Sequence, residues 1–238
     1  MVTRAPLDPA LAARLAALPV PTITATLFAR GVRSSFLAGL APLSAENARF
    51  VGTAYTMRAL PVREDLLAAV SEGRAPNLHR RAMADVAAGE VIVTDCGAVA
   101  GISFFGELIA TFLARKGVAA IVTDAGIADV EDVAATGLPV FAQGSAPIPG
   151  PARRLVADLL CPVDCMGVAV VPGDILVGDR NGVAVIPRAM GEAVAEAAEE
   201  KERLERFLLA RLKEGAPLDG TYPPDAATLE AYRRARGG

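Results

Sequence analysis

Tryptophan is absent from the chain and histidine occurs once, as His79. One histidine leaves no His-rich metal site, and any Ser-His-Asp constellation would have to be built around His79 alone. Cysteine is scarce as well, and Cys96, Cys161 and Cys165 form an odd set. Cys161-Pro-Val-Asp-Cys165 spaces two thiols by four positions, but no second ligand pair exists for zinc, so core packing is the expectation. No apolar stretch approaches the ~20 residues that cross a bilayer. The N-terminal segment carries Arg4, Asp8 and Arg14 with Pro6 and Pro9, and lacks the uninterrupted apolar run of a secretory signal. The expectation is a cytoplasmic protein with reduced thiols and no membrane contact. Neither sign of charge dominates: 24 Lys and Arg stand against 27 Asp and Glu, intermixed, so no nucleic-acid surface is expected.

What is present is a core-forming chain. At 238 residues and 53% apolar content it fits one large domain, or one domain with a tail. Residues 8–18 read as a short helix ended by Pro19 and Pro21, followed by a second helix for which Thr22 or Thr24 is the expected cap. Residues 47–60 alternate as a strand, and 64–71 and 77–88 are helical in pattern. Two segments, Gly89–Asp95 and Gly173–Asp179, share the form Gly, acid, three apolar residues, any residue, Asp; each reads as a buried strand. Asn181-Gly182 then predicts a hairpin returning through residues 182–187. Residues 189–213 read as a long charged helix with a narrow apolar side, expected to pack on a neighbouring subunit. The Gly- and Pro-broken tail after it is expected to wrap a neighbour or fray.

The chemistry concentrates between Phe105 and Asp132. A glycine-rich approach, Cys96 to Gly106, runs into a helix whose Phe105, Leu108, Ile109, Phe112 and Leu113 make one apolar stripe. Gly117 ends that helix, 118–122 reads as a buried strand, and a second helix starts near Asp129. Glu107 falls in the first turn of one helix, and Asp129 and Asp132 in the first turn of the other. Three carboxylates and free backbone N–H groups at one sheet end suit a divalent cation and a small anion. The plainer reading is that these acids only cap and neutralise helix N-termini. Cys96 has no neighbouring base to make it a nucleophile, and His79, beside Arg80 and Arg81, reads as a surface or partly packed residue.

Six segments in order carry a resemblance: FVGTAYTMR (50–58), AAGEVIVTD (87–95), GEL (106–108), GVAAIVTDAGIAD (117–129), GLPVF (137–141) and VVPGDILVGDRNGVAVIP (170–187). Together they resemble the RraA-like family, which includes 4-hydroxy-4-methyl-2-oxoglutarate aldolases and the ribonuclease E activity regulator. The resemblance implies an α/β fold, a three-layer β/β/α swivelling domain over residues 1–188, with a C-terminal helical extension over 189–238. It also implies homotrimers or homohexamers with active sites at subunit interfaces. The family's aldolases carry an acid, twenty residues, Arg-Asp, two residues and another acid; Glu107, Asp129 and Asp132 match, and Ala128 replaces the arginine.

By that resemblance Asp129 ligates Mg²⁺ or Mn²⁺ and Glu107 handles the proton of a metal-bound water. Asp132 holds metal-bound waters. Gly106, Glu107, Leu108, Ile109 and Ala128 bound the site of a small 2-oxo acid, and Glu199 or Glu202 of a neighbour is the expected completing acid. Arg58, Arg80 and Arg81 are the arginines expected to stand in for the one missing at Ala128. The implied function is metal-dependent carbon–carbon lysis of the class II pyruvate aldolase type, with oxaloacetate decarboxylation as a related activity. The alternative is a non-catalytic regulator that binds a ribonuclease or another protein. A methyltransferase reading fails on Asp95-Cys-Gly97-Ala-Val99, which has Val where a nucleotide loop needs its last Gly.

Overall fold

The computed structural model describes residues 4–237, so residues 1–3 and 238 of the two expected spans lie outside the described part. In chain order the helices are α1 (Pro9–Ala16), α2 (Val20–Ala29), α3 (Glu64–Ser71), α4 (Leu78–Asp85), α5 (Glu107–Arg115), α6 (Val130–Ala135), α7 (Gly191–Lys213) and α8 (Ala226–Gly237). The strands are β1 (Ala41–Pro42), β2 (Phe50–Pro61), β3 (Glu90–Asp95), β4 (Ala120–Thr123), β5 (Val140–Ala142), β6 (Arg154–Leu159), β7 (Val163–Cys165), β8 (Val168–Val170), β9 (Ile175–Asp179) and β10 (Gly182–Ile186).

Eight strands form one mixed sheet in the order β1-β5-β4-β3-β2-β9-β10, with β6 pairing on β2. β2 is the spine. Its first half pairs antiparallel with β9, its second half antiparallel with β6 across a register shift between Arg58 and Ala59, and its other edge runs parallel to β3. β3, β4 and β5 are parallel neighbours, so their C-terminal ends share one edge. Period-two alternation sorts their side chains onto two faces. Tyr55, Met57, Ile92 and Ile121 point into a core with Ala110 and Leu113 of α5 and Val133 of α6. Ala54, Val91, Val93, Ala120 and Val122 point the other way, into a core shared with Val163 and Cys165 of β7 and Val168 and Val170 of β8. Helices thus cover one face and the β7–β8 ribbon sits on the other, the β/β/α order that the resemblance implies.

A third core fastens the two ends of the chain together. Leu15 of α1, Ile23 and Leu27 of α2, and Val194, Ala195 and Ala198 of α7 close over Ile175, Val177, Ala184 and Ile186. The first part of α7 therefore packs within its own chain. Any contact with a neighbouring subunit falls to its later part, where Leu209 is half exposed. Glu199 accepts from Arg14 Nε at 2.7 Å and Glu202 from the Thr22 hydroxyl, so both acids are engaged inside the chain. The tail is ordered into α8, whose Tyr232 stacks 5.4 Å from Phe207 and donates to Glu200 at 3.0 Å. α2 begins at Val20 rather than at a threonine cap: Pro21 occupies its first turn, and Asp179 of β9 accepts from the Val20 N–H at 2.9 Å. A cap contributed from so far along the chain has no local sequence signal.

Gly178 faces Phe50 across the β2–β9 pair, and a side chain there would strike the Phe50 ring. That ring packs edge-on to Phe141 with centroids 5.5 Å apart. Gly178→Ala is expected to displace it and destabilise the fold by about 1–3 kcal/mol, the usual penalty of overpacking. Urea unfolding of the two proteins measures the difference, and equal midpoints would show that the ring has room to move.

Candidate active site

The site grows out of the parallel edge. β3 and β4 end at Asp95 and Thr123, and the segments leaving them, 96–106 and 124–129, are laced together. Asp124, 1% exposed, accepts from the Cys96 N–H at 2.5 Å and the Ala98 N–H at 2.6 Å. Burial pushes the Asp124 carboxyl up from the usual carboxylate range, and those two N–H groups pull the other way. Asp95 accepts from the Gly97 N–H at 3.0 Å, and Ala98 is held at φ 56°. Further along, the Gly126 N–H donates to Ile102 at 2.9 Å and the Ala128 N–H to Phe105 at 3.1 Å, while Ser103 bridges both Gly126 and Pro149. Gly126 has to be glycine, because a Cβ would lie 2.7 Å from the Ala100 carbonyl oxygen and collide with Ala146.

This lacing delivers Asp129 to Gly106. Asp129 precedes α6 with φ 51° and ψ 48°, a left-handed conformation that non-glycine residues seldom adopt. Its side chain does not cap α6. Instead Oδ2 reaches across to the neighbouring helix and accepts from the Glu107 N–H, the first donor of α5, at 3.1 Å. A Cβ on Gly106 would stand 2.5 Å from that oxygen, so the glycine makes the approach possible. The reading of Asp129 as the cap of its own helix is thereby excluded. Gly106 offers α5 no side-chain cap, and the Leu108 and Ile109 N–H groups have no carbonyl to bond within the helix. The Ala128 side chain faces Gly106, where a Cβ would lie 3.7 Å from its own.

Several expectations need adjustment. Glu107 and Asp132 are both exposed, but among the described residues no three His, Cys, Asp or Glu side chains converge as a metal cluster. Glu107, Asp129 and Asp132 share an edge without forming a three-carboxylate cage. Leu108 and Phe112 do not face the core as the apolar stripe suggested; they are 84% and 50% exposed. Arg58 is ion-paired with Asp158, and Arg80 and Arg81 lie exposed on α4. The arginine brought to the loop is Arg154: a Cβ on Gly97 would stand 2.8 Å from its guanidinium. The antiparallel return of β6 along β2 places it there, and no spacing in the sequence announces that pairing. All three cysteines are free thiols, and burial pushes Cys96 and Cys165 upward, away from nucleophilic thiolate.

Gly106→Ala is expected to expel the Asp129 carboxylate from the Glu107 N–H. Loss of that charge-assisted bond shifts the Glu107 amide resonance upfield and costs about 1 kcal/mol in thermal unfolding. An unmoved Glu107 amide would show that the two groups are not bonded in solution.

The chain has relatives among known proteins in both sequence and fold. A family model described as RraA-like (Aldolase/RraA) matches residues 20–185. A protein of Halalkalibacterium halodurans, provisionally named a 4-hydroxy-4-methyl-2-oxoglutarate aldolase, is 31% identical over 122 residues, 51% of this chain and 58% of that protein. An uncharacterized Methanocaldococcus jannaschii protein is 40% identical over 103 residues, 43% of this chain and 49% of its own. The matched stretch thus spans about half the length of these relatives. Among solved structures, Streptomyces coelicolor RraAS2, titled an unusual member of the RNase ES inhibitor RraA protein family, superposes with a TM-score of 0.77 at 27% identity, covering 86% of this chain and 98% of that one. An uncharacterized Pseudomonas syringae protein at 22% identity shares the fold with a TM-score of 0.76, over 92% of this chain and 99% of its own. With the family model matching well over half its length, the chain belongs to the RraA-like family.

Proposed function

We propose that the protein is a divalent-metal-dependent carbon–carbon lyase acting on a small 2-oxo acid, of the pyruvate aldolase and oxaloacetate decarboxylase type. The observation that carries this reading is the Asp129 carboxylate, held in a strained backbone and turned away from its own helix onto the start of α5. The left-handed backbone at Asp129 is what turns its carboxylate away from α6 and brings it to the first N–H of α5. The donor set fits a hard cation: Asp129 is exposed, and only its Oδ2 accepts a hydrogen bond from a described residue. Asp129 would hold Mg²⁺ or Mn²⁺ as the one protein carboxylate directly on it, with Asp132 acting through water. A bound cation supplies Lewis-acid stabilisation of the negative charge that develops when a bond next to a ketone breaks. The remaining work falls to the chain. The free N–H groups of Leu108 and Ile109 hold the substrate carboxylate at the positive end of α5, and the Glu107 carboxylate takes up and returns the proton.

The exposed Leu108 and Phe112 lie on the same α5 that carries the site. We read them as a contact with further copies of this chain in a trimer or hexamer, and a shared site follows from that placement. The second reading, a non-catalytic regulator, is favoured by Ala128, where the aldolases have an arginine. It also draws support from the likeness to RraAS2, which is titled as belonging to an RNase inhibitor family.

Asp129→Ala is expected to abolish Mg²⁺ binding by calorimetry and turnover of oxaloacetate while the circular dichroism spectrum stays unchanged. Undiminished turnover would overturn the lyase reading. Ala128→Arg restores a preorganised cationic donor of a kind typically worth ~10²–10³ in rate. Pyruvate release from 4-hydroxy-4-methyl-2-oxoglutarate should rise at least about tenfold. No gain in a protein that still binds Mg²⁺ would mean a site rebuilt for other work.

A further inference from the structure

α5 leaves an apolar knob in water, made by the exposed Leu108 and Phe112. At the starts of α5 and α6 stand three carboxylates, Glu107, Asp129 and Asp132, all exposed and none ion-paired with a described residue. The same chain carries a surface of complementary shape and charge. A cavity of about 510 Å³ lies between α3, α4 and β6, walled by Leu67 and Val70 of α3, Leu78 of α4, Phe104 and Leu155. His79 also lines it, its ring 5.5 Å from that of Phe104 and 5.9 Å from that of Phe105. No residue of α3 is buried and Leu66 stays 46% exposed, so that wall is itself short of cover. Arg80 borders the cavity and, like Arg81 after it on α4, is exposed and makes no ion pair with a described residue. One surface thus offers apolar side chains beside unpaired acids, and the other an apolar-walled hollow beside unpaired arginines. Interfaces are built from such pairs: the apolar parts supply packing, and opposite charges around them fix the register.

We propose that the cavity receives a second copy of this chain, with Leu108 and Phe112 of one subunit seated between α3, α4 and β6 of the next. A patch that enters a pocket elsewhere on an identical molecule makes a heterologous contact, which closes into a ring when the rotation allows. Seating α5 there brings the partner subunit's Arg80 to the unpaired acids at the starts of α5 and α6. One copy then builds the reacting end of the candidate site, and the other sets an arginine on its rim. That guanidinium takes the outer carboxylate of a dicarboxylic substrate, a pairing its planar fork suits. It is separate from the donor missing at Ala128, whose side chain faces Gly106. The role of Arg80 rests on the lyase reading; the contact itself does not.

The contact is tested with two full-length variants, Leu108→Cys and Leu67→Cys, oxidised singly and after coexpression. A disulfide between chains is expected from the coexpressed pair and from neither variant alone. Leu108→Glu should reduce the assembly to monomers in sedimentation with an unchanged circular dichroism spectrum, because that side chain lies in water in the single subunit. Arg80→Ala should raise KM for oxaloacetate about tenfold, the loss of one charge-assisted pair, and leave kcat nearly unchanged. Coexpressing it with the inactive Asp129→Ala chain joins an intact Asp129 to an intact Arg80 of the other chain at about one site in four. A component with the wild-type KM should therefore return. No disulfide from the coexpressed pair, a monomeric wild-type chain, or no return of the low-KM component would overturn the proposal. A wild-type protein that gives the expected cross-link yet turns over no oxaloacetate would sink the lyase reading and the role of Arg80 with it, and would uphold the contact.

Discussion

One buried carboxylate holds the functional edge of this protein in shape. Asp124 sits at the end of β4 with almost no contact with water, and its two oxygens are bonded by the N–H groups of Cys96 and Ala98. A carboxylate at such a position is costly unless donors surround it, so the loop cannot leave without stranding a buried charge. The Gln143 side chain also donates to the Asp124 carbonyl at 2.5 Å, which ties the end of β5 to the same point. Everything that follows in the loop, including the pairing of Ser103 with Gly126 and the arrival of Gly106 beside Asp129, is built outward from that anchor.

Much of the fold is legible along the chain because it is local. The period-two pattern of β2 and the Asn-Gly turn between β9 and β10 are written in adjacent residues. So is the helical pattern of α3, α4 and α7. The strands β6, β7 and β8 are short, polar in places and paired over long sequence distances, and no single stretch advertises them. The start of α2 is of the same kind, since its cap is an aspartate from a different strand. The α5 stripe shows the opposite limit. Periodicity puts Leu108 and Phe112 on one apolar face with Phe105 and Leu113, but only the latter two are buried by the described residues.

The site was legible in its residue types and less so in its geometry. Glu107, Asp129 and Asp132 have the spacing of a family motif, and the same spacing describes two ordinary helix starts. What separates the readings is a backbone angle at Asp129 and the bare Cα of Gly106, neither of which a spacing rule contains. Arg154 was invisible for a related reason: it reaches the loop through the return of β6 along β2. His79, beside Arg80 and Arg81, reads as a surface or partly packed residue, and it is partly packed. Its ring is turned inward against Phe104 and Phe105, while the arginines on the same short helix remain in water.

The third core carries a consequence for how the chain comes to be folded. α1 and α2 are among the first elements made, yet the surfaces that cover them belong to β9, β10 and α7, among the last. Arg14 and Glu199 are 185 positions apart, and Val20 and Asp179 are 159 apart. During synthesis the apolar sides of Leu15, Ile23 and Leu27 therefore wait unpaired while nearly the whole sheet is assembled. Contacts of such separation are formed late and slowly, because the intervening chain must be ordered before they yield anything. A nascent chain in this state exposes the apolar sides of two helices until β9, β10 and α7 have been made.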